Sequence, residues 1–198
     1  MKFRQPLPIL IFVITYIRYM NVKIADLEFE PLITAKQIQA RTKEIAKQLN
    51  KDYADKAPIF VGVLNGCFMF MADLLRQINV PCEVAFTKLS SYHGGVTTTR
   101  RIRDDFDLMV DITDRHIVLV EDIVDTGNTL DYLVAKLQHR KPASIIVCAL
   151  LLKPDAVEYP VEELKHVAFN IPNEFVIGYG LDYMELGRNL DGIYKRAV

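Results

Sequence analysis

Net charge, cysteine and metal-ligand spacings are all scarce in this chain, and each shortage removes a class of function. Formal net charge is −1 over 198 residues, so no global field draws the protein toward DNA or an anionic lipid surface. A local basic pocket is still compatible with that balance. Cysteine is confined to Cys67, Cys82 and Cys148, odd in number, scattered, and without a CxxC pair. They read as buried thiols in a reducing compartment, and so as neither a disulfide framework nor a zinc site. Four scattered histidines give no HExxH or other metal spacing. GxGxxG and the Walker A pattern are both missing, which excludes a dinucleotide fingerprint and a P-loop. Internal repeats and low-complexity segments are missing too. What is present is 51% hydrophobic and 25% charged, a globular balance, in a length that suits one domain with a substantial core.

The first twenty residues, MKFRQPLPILIFVITYIRYM, stand apart. Their apolar run from Leu7 to Ile17 is too short for a comfortable transmembrane helix. It has the size of a signal-peptide core, but Arg18 and Tyr19 occupy the place of a small-residue cleavage site. The reading adopted over a signal or a packed extension is a start codon placed too early, with Met20 the true beginning. Residues 1–19 are then an extension outside the fold, and 20–198 a single, cytoplasmic domain.

Along that domain, strands and helices alternate. Thr34 can cap an amphipathic helix running to Asn50, with Ile38, Ile45 and Leu49 on its apolar face. PIFVGVLNG reads as a buried strand and turn, FMFMADLLRQI as an apolar helix, and VPCEVAFTKL as a second strand. SSYHGGVTTTRR, Ser90 to Arg101, is polar and without apolar periodicity, a flexible loop long enough to serve as a lid. FDLMVDI and HIVLVED follow as strands. Leu130, Leu133, Val134 and Leu137 mark one face of a helix that ends near Lys141 and Pro142. SIIVCALLLKP, VAFNIP and EFVIGYGLDY are the remaining strands. This order implies an α/β fold, an open and mostly parallel sheet with helices on both faces. Ligands of such sheets bind beyond the carboxyl ends of the strands. That rule gathers LNG, EDIVDTGNT, LLKP and GLDY around one crevice.

The chemistry concentrates in IVLVEDIVDTGNTL, Ile117 to Leu130. A run of branched apolar residues meets Glu121 and Asp122 side by side, then Asp125, then a glycine turn into a helix. Adjacent carboxylates repel, and burying them unpaired is costly. Gly127 permits a tight turn, and the helix beginning there aims free N–H groups into the crevice. With the hydroxyls of Thr126 and Thr129, those amides form a cradle for a phosphate. Glu121 and Asp122 are spaced to accept from vicinal sugar hydroxyls, or to hold Mg²⁺ directly or through water. Asp125 could serve as a general base. As a solvated strand-to-helix turn with Asp125 as N-cap, the same acids would be unremarkable. The flanking VLV and TGNT favour the functional reading.

VLVEDIVDTGNTL closely resembles the signature of type I phosphoribosyltransferases, which bind 5-phosphoribosyl-1-pyrophosphate (PRPP). The resemblance extends to the hypoxanthine-guanine phosphoribosyltransferases over about Ile24 to Tyr194, carried also by VLNGCFMFMADLL, SSYHG, LLKP and IPNEFVIGYGLDY. It implies a central mostly parallel sheet flanked by helices, with a small hood built from the terminal segments. It also implies purine salvage: hypoxanthine or guanine plus PRPP gives the nucleoside monophosphate and pyrophosphate, with Mg²⁺ required. On the resemblance, Asp125 takes the proton of the purine imidazole ring. Glu121 and Asp122 hold the ribose hydroxyls and their magnesium. Thr126, Gly127, Asn128 and Thr129 cradle the 5′-phosphate. Lys153 donates to the purine 6-oxo group, Phe175 stacks on the base, and the Val176 backbone reads its edge. Asp182 holds a second Mg²⁺ and Arg188 grips pyrophosphate, whose loop is Leu64, Asn65 and Gly66, where relatives carry a non-proline cis peptide. Ser91 and Tyr92 close over the site. Relatives often carry Lys or Arg where this chain has Asn65, so backbone amides, Arg188 and magnesium must neutralise more of the pyrophosphate. Partners on this reading are small molecules, with no nucleic acid or membrane, in a homodimer or homotetramer.

A regulator that senses PRPP on the same fold would commonly lose the acid of Asp125 or the purine-contacting lysine, and both are present. A pyrimidine transferase is disfavoured by Lys153 and EFVIGYGLDY, whereas xanthine stays open as a substrate. Removal of Met1–Tyr19 is expected to leave an active chain of unchanged solubility. Aggregation or loss of the folded far-UV circular dichroism signal would show that the segment is structural.

Overall fold

The computed structural model describes residues 20–91 and 102–197, so the N-terminal extension and most of the expected lid, Tyr92 included, lie outside the described residues. Its main body is a six-stranded sheet in the order β5-β4-β3-β6-β7-β8. The strands are β3 (Ile59–Leu64), β4 (Glu83–Ser91), β5 (Ile102–Phe106), β6 (His116–Val124), β7 (Ser144–Leu152) and β8 (Leu164–Asn170). Neighbouring strands from β4 through β8 run parallel, and β5 adds antiparallel to the outer edge of β4. The expected mostly parallel sheet is therefore what forms.

Near-continuous apolar runs suit strands covered on both faces, and the side-chain alternation divides them between two cores. Phe60, Val118, Val120, Cys148 and Leu150 face helices α1 (Ala35–Asp52) and α2 (Phe68–Leu75), through Ile38, Ile45, Leu49, Phe70 and Leu74. Ile59, Val61, Ile117, Leu119, Val147 and Ala149 face helix α3 (Asn128–Gln138), through Leu130, Leu133, Val134 and Leu137. Each fully buried side chain of this size contributes about 1.5–3 kcal/mol relative to exposure. Thr34 caps α1 as expected, within a capping box in which Gln37 N–H meets the Thr34 hydroxyl and the Gln37 side chain returns to the Thr34 amide.

Two stretches depart from the sequence pattern. FDLMVDI was expected as a strand, yet only Phe106 belongs to one, at the end of β5. Leu108 and Ile112 are buried in the α3-side core, but the backbone between them has no partner strand among the described residues; instead the Arg140 guanidinium takes the carbonyls of Leu108 and Val110. EFVIGYGLDY yields only the short β9 (Val176–Ile177), after which Gly178, Tyr179 and Gly180 turn the chain at positive φ.

The second sheet has the order β1-β2-β10-β9 and is antiparallel throughout. It joins β1 (Val22–Ile24) and β2 (Leu27–Ile33) to β9 and β10 (Ile193–Arg196), over a small core of Phe29, Ile177 and Tyr194. This is the hood that the resemblance implied, made from the two ends of the described chain. Among the described residues, no helix is long and apolar enough to cross a membrane.

Candidate active site

Three parallel strands, β3, β6 and β7, deliver their carboxyl ends to one rim, beneath the hood. β6 continues to Val124, so Glu121 and Asp122 lie within the strand itself and not in the turn after it. Glu121 pairs in register with Ala149 of β7 and is buried, and its Oε2 has no hydrogen-bond partner among the described residues. Burial, reinforced by the neighbouring Asp122, pushes the Glu121 carboxyl well above the usual range. Asp122 is also pushed up, to about 6, chiefly by burial and further by Asp182, against opposing pulls from the Ile123 amide and Arg188. Two neighbouring acids that resist ionisation are waiting for positive charge. The orphaned Glu121 oxygen and the acid pair therefore fit a divalent cation with oxygen preference. No cluster of three metal-ligating side chains exists among the described residues, so substrate oxygens would have to complete any coordination shell.

Gly66 shows how tightly Asp122 is seated. A Cβ on Gly66 would stand 1.4 Å from Asp122 Oδ2, and a Cβ on Gly180 1.9 Å from the Gly66 carbonyl oxygen. Strand β6, the Leu64–Gly66 loop and the hood thus touch backbone to side chain and backbone to backbone, where only glycine fits. The Leu64–Asn65 peptide is cis, as the resemblance implied.

Beyond Val124, Asp125 is half exposed, and its Oδ2 lies 3.0 Å from the Nζ of Lys153. Lys153 is buried, at 7% exposure, and its own amide donates to Val124 O at 2.9 Å. Neighbouring strands thereby place a general-base candidate and a buried ammonium in contact. Gly127 takes φ +84°, and a Cβ there would meet Tyr159 O at 2.1 Å. The Thr126 carbonyl accepts from the amides of Glu158 and Tyr159, which fixes the turn from behind. Helix α3 then begins at Asn128 with no side chain on its Gly127 cap; the Asn128 amide reaches Thr126 Oγ1 only at 3.5 Å, and the following first-turn amides are available to an anion.

On the hood side, Arg188 donates from Nη1 to Gly180 O at 2.9 Å and from Nη2 to Glu185 Oε2 at 2.8 Å, and the same Nη2 forms an ion pair with Asp182 Oδ1 at 2.7 Å. Asp182 Oδ2 accepts from the Glu185 amide. Arg188 and Asp182, expected in separate roles, are thus bound to each other. Phe175 is 46% exposed, with its ring edge-on to Tyr183 at 5.7 Å and tilted to Phe29 at 6.1 Å. Val176 is buried and pairs with Lys195 of β10. Ser91 ends β4, and nothing further of its role or that of Tyr92 falls within the described residues. Sequence reasoning missed Glu185 as a partner of Arg188, and Gly180 as the close neighbour of Gly66. The i,i+3 spacing of Glu185 and Arg188 was a visible signal for the first, and no local signal marks the second.

Comparison with known proteins adds a family model, that of the phosphoribosyl transferase domain, which matches residues 33–184. The hypoxanthine phosphoribosyltransferase of Haemophilus influenzae is 47% identical over 169 residues, 83% of this chain and 93% of that protein. The hypoxanthine-guanine phosphoribosyltransferase of Streptococcus pneumoniae is 43% identical, over 84% of this chain and 93% of its own length. Among solved structures, a hypoxanthine phosphoribosyltransferase from Staphylococcus aureus superposes with a TM-score of 0.80 at 42% identity, covering 85% of this chain and 91% of the other.

A carboxyl group with a raised folded-state pKa loses stabilising influence as it ionises. In the metal-free chain, stability should therefore fall as pH rises from the ordinary Asp value of 3.8 through about 6. Asp122→Asn should match the parent near pH 4 and exceed it at pH 7 by about 3 kcal/mol, read by urea denaturation. A variant that is less stable than the parent at pH 7 would contradict this account of the site.

Proposed function

Because this chain belongs to the phosphoribosyltransferase domain family, we propose that it salvages purines, transferring the 5-phosphoribosyl group of PRPP to hypoxanthine or guanine. The observation that carries this reading is the Lys153–Asp125 ion pair, set beside an uncapped helix start. The 6-oxo group and N7 are neighbours on one edge of a 6-oxopurine; when N7 carries the imidazole proton, the oxygen accepts and N7–H donates. An ammonium and a carboxylate 3.0 Å apart match that edge: Lys153 meets the oxygen, and Asp125 receives the imidazole proton. An amino group in place of the 6-oxo cannot accept from Lys153 and would set two donors face to face in a desolvated site. The site therefore selects 6-oxopurines over adenine.

Transfer breaks the bond between ribose C1′ and the pyrophosphate oxygen and forms one from C1′ to the purine ring nitrogen. Positive charge grows on the sugar while pyrophosphate departs with the bonding pair. Asp125, as it takes the purine proton, raises the nucleophilicity of the base at the moment of attack. The Thr126–Thr129 turn and the first amides of α3 anchor the 5′-phosphate and so fix C1′. Glu121 and Asp122 accept from the ribose hydroxyls. Divalent cations, Mg²⁺ in this reading, would neutralise charge on the leaving group; Glu121 and Asp122 would hold one beside the ribose hydroxyls and Asp182 a second on the pyrophosphate side. Arg188 grips pyrophosphate after exchanging Asp182 and Glu185 for phosphate oxygens, both of them suitable to a guanidinium. Leu64, Asn65 and Gly66 bring backbone amides to the same end, Phe175 offers its exposed face to the base, and Val176 reads the base edge. Ser91 and Tyr92 would close over the complex and exclude water. A homodimer or homotetramer in the cytoplasm belongs to the same reading.

A spectrophotometric assay with PRPP, Mg²⁺ and each purine separately tests the function; activity with adenine but with neither hypoxanthine nor guanine would refute it. Asp125→Ala is expected to lower kcat with hypoxanthine by about 10²-fold or more, and near-normal turnover would remove it as the base. Lys153→Ala should raise KM for hypoxanthine well above its effect on KM for PRPP. The reverse pattern would take Lys153 out of the purine site.

A further inference from the structure

The hydroxyl of Tyr179 donates to Asp73 Oδ2 at 2.7 Å, bridging the hood and helix α2. Neither residue has a part in the chemistry above. Both nonetheless adjoin its pyrophosphate end. Helix α2 grows straight out of the Leu64–Gly66 loop: the Phe68 amide donates to Asn65 O at 3.4 Å and the Met71 amide to Cys67 O at 2.8 Å. A displacement of α2 therefore carries the loop with it.

The other partner sits in an unusual run of backbone. Gly178, Tyr179 and Gly180 take φ of 96°, 48° and 107°. Glycine visits that region freely, whereas a tyrosine stays there only where its surroundings hold it. The Tyr179 ring is buried, at 3% exposure; its amide donates to Leu190 O and that of Gly180 to Arg188 O, each at 2.9 Å. Arg188 Nη1 returns a hydrogen bond to Gly180 O. Gly180 itself rests on Gly66, so the hood and the loop meet through bare backbone. Such van der Waals contact is weak and lacks direction. A directed bond nearby is what can set the alignment. The Tyr179–Asp73 bond is also no ordinary core contact, because both residues line a cavity of about 390 Å³ together with Lys36, Gln39 and Asp191. Burial and the Asp73 carboxylate hold the phenol far above its usual pKa range, so it stays a donor.

We propose that the Tyr179–Asp73 hydrogen bond is a positioning clamp for the pyrophosphate half of the site, holding Asp182 and Arg188 in alignment with Leu64–Gly66. This rests on phosphoribosyl transfer being the reaction. Phe175 and Val176 are held independently, by the β9–β10 ladder and the packing of Phe175 on Phe29 and Tyr183. Loss of the clamp thus acts on PRPP and pyrophosphate and spares the base.

Steady-state kinetics of Tyr179→Phe, with each substrate varied in turn, tests the clamp. The ring stays and the fold with it; KM for PRPP, and for pyrophosphate in the reverse reaction, should rise about tenfold while KM for hypoxanthine moves less than about twofold. Asp73→Asn keeps an acceptor oxygen and should behave like the parent, while Asp73→Ala should reproduce Tyr179→Phe. The double variant Tyr179→Phe/Asp73→Ala should lose no more than either single change. A uniform rise in all KM values, a lower Tm with unaltered KM ratios, or additive losses in the double variant would overturn the clamp. A parent chain that transfers nothing from PRPP would instead overturn the function, a result separable from these.

Discussion

The constraint on which this structure depends is the placing of two adjacent carboxyl groups inside its central strand. Glu121 and Asp122 sit in β6, flanked by fully buried Val120 and by β7. Desolvation and mutual repulsion both oppose their ionisation. Relief is local and partial: the Ile123 amide faces Asp122, Arg188 lies within electrostatic reach, and Gly66 leaves the carboxyl room by having no side chain. Glu121 Oε2 receives nothing from the described residues. A fold arranged for stability alone would place apolar residues here, as the preceding four positions of the strand do. The pair is kept at the cost of stability because it serves what enters the crevice.

The cations of the site follow from the same limitation. Each one expected to meet substrate already has a carboxylate on it, Lys153 with Asp125 and Arg188 with Asp182 and Glu185. Such pairs fix the direction of long side chains that would otherwise sample many rotamers. Substrate binding is then an exchange of partners more than a first neutralisation. It also reconciles a site for highly charged phosphates with a chain whose formal net charge is only −1.

How much of this could be read beforehand varied with the range of the interaction responsible. The β6–turn–α3 segment was legible because its logic is local: an apolar run, acids, a glycine and an amphipathic face follow one another within the chain. The same holds for Thr34, whose cap and Gln37 partner lie three residues apart. The stretch from Asp107 to Ile112 was misjudged because apolar residues such as Leu108 and Ile112 fill a core equally well from an irregular backbone. What decides the matter is Arg140, far along the chain, which occupies the carbonyls a partner strand would have used. Likewise, EFVIGYGLDY has a strand's composition, but Gly178 and Gly180 break it, and the reason they must is their contact with Gly192 and Gly66. The bond from Tyr179 to Asp73 spans 106 positions and leaves no periodic trace. Site residues were located chiefly by resemblance, and their pairings only by geometry.

The hood has a consequence for how the protein comes to exist. Its inner ladder joins Phe29 to Arg196, and Pro31 to Tyr194, so an early strand and a late one must meet. On a ribosome that emits the chain from its N-terminus, the parallel sheet can close while β2, paired only with β1, still waits for β10 on its other edge. Bringing such distant segments together carries the loop-closure entropy of nearly the whole polypeptide, repaid only at the final step. A nascent chain stalled before Ile193 would therefore own its acids, its helix start and its ion pair, yet lack the roof over them. Competence arrives with β10.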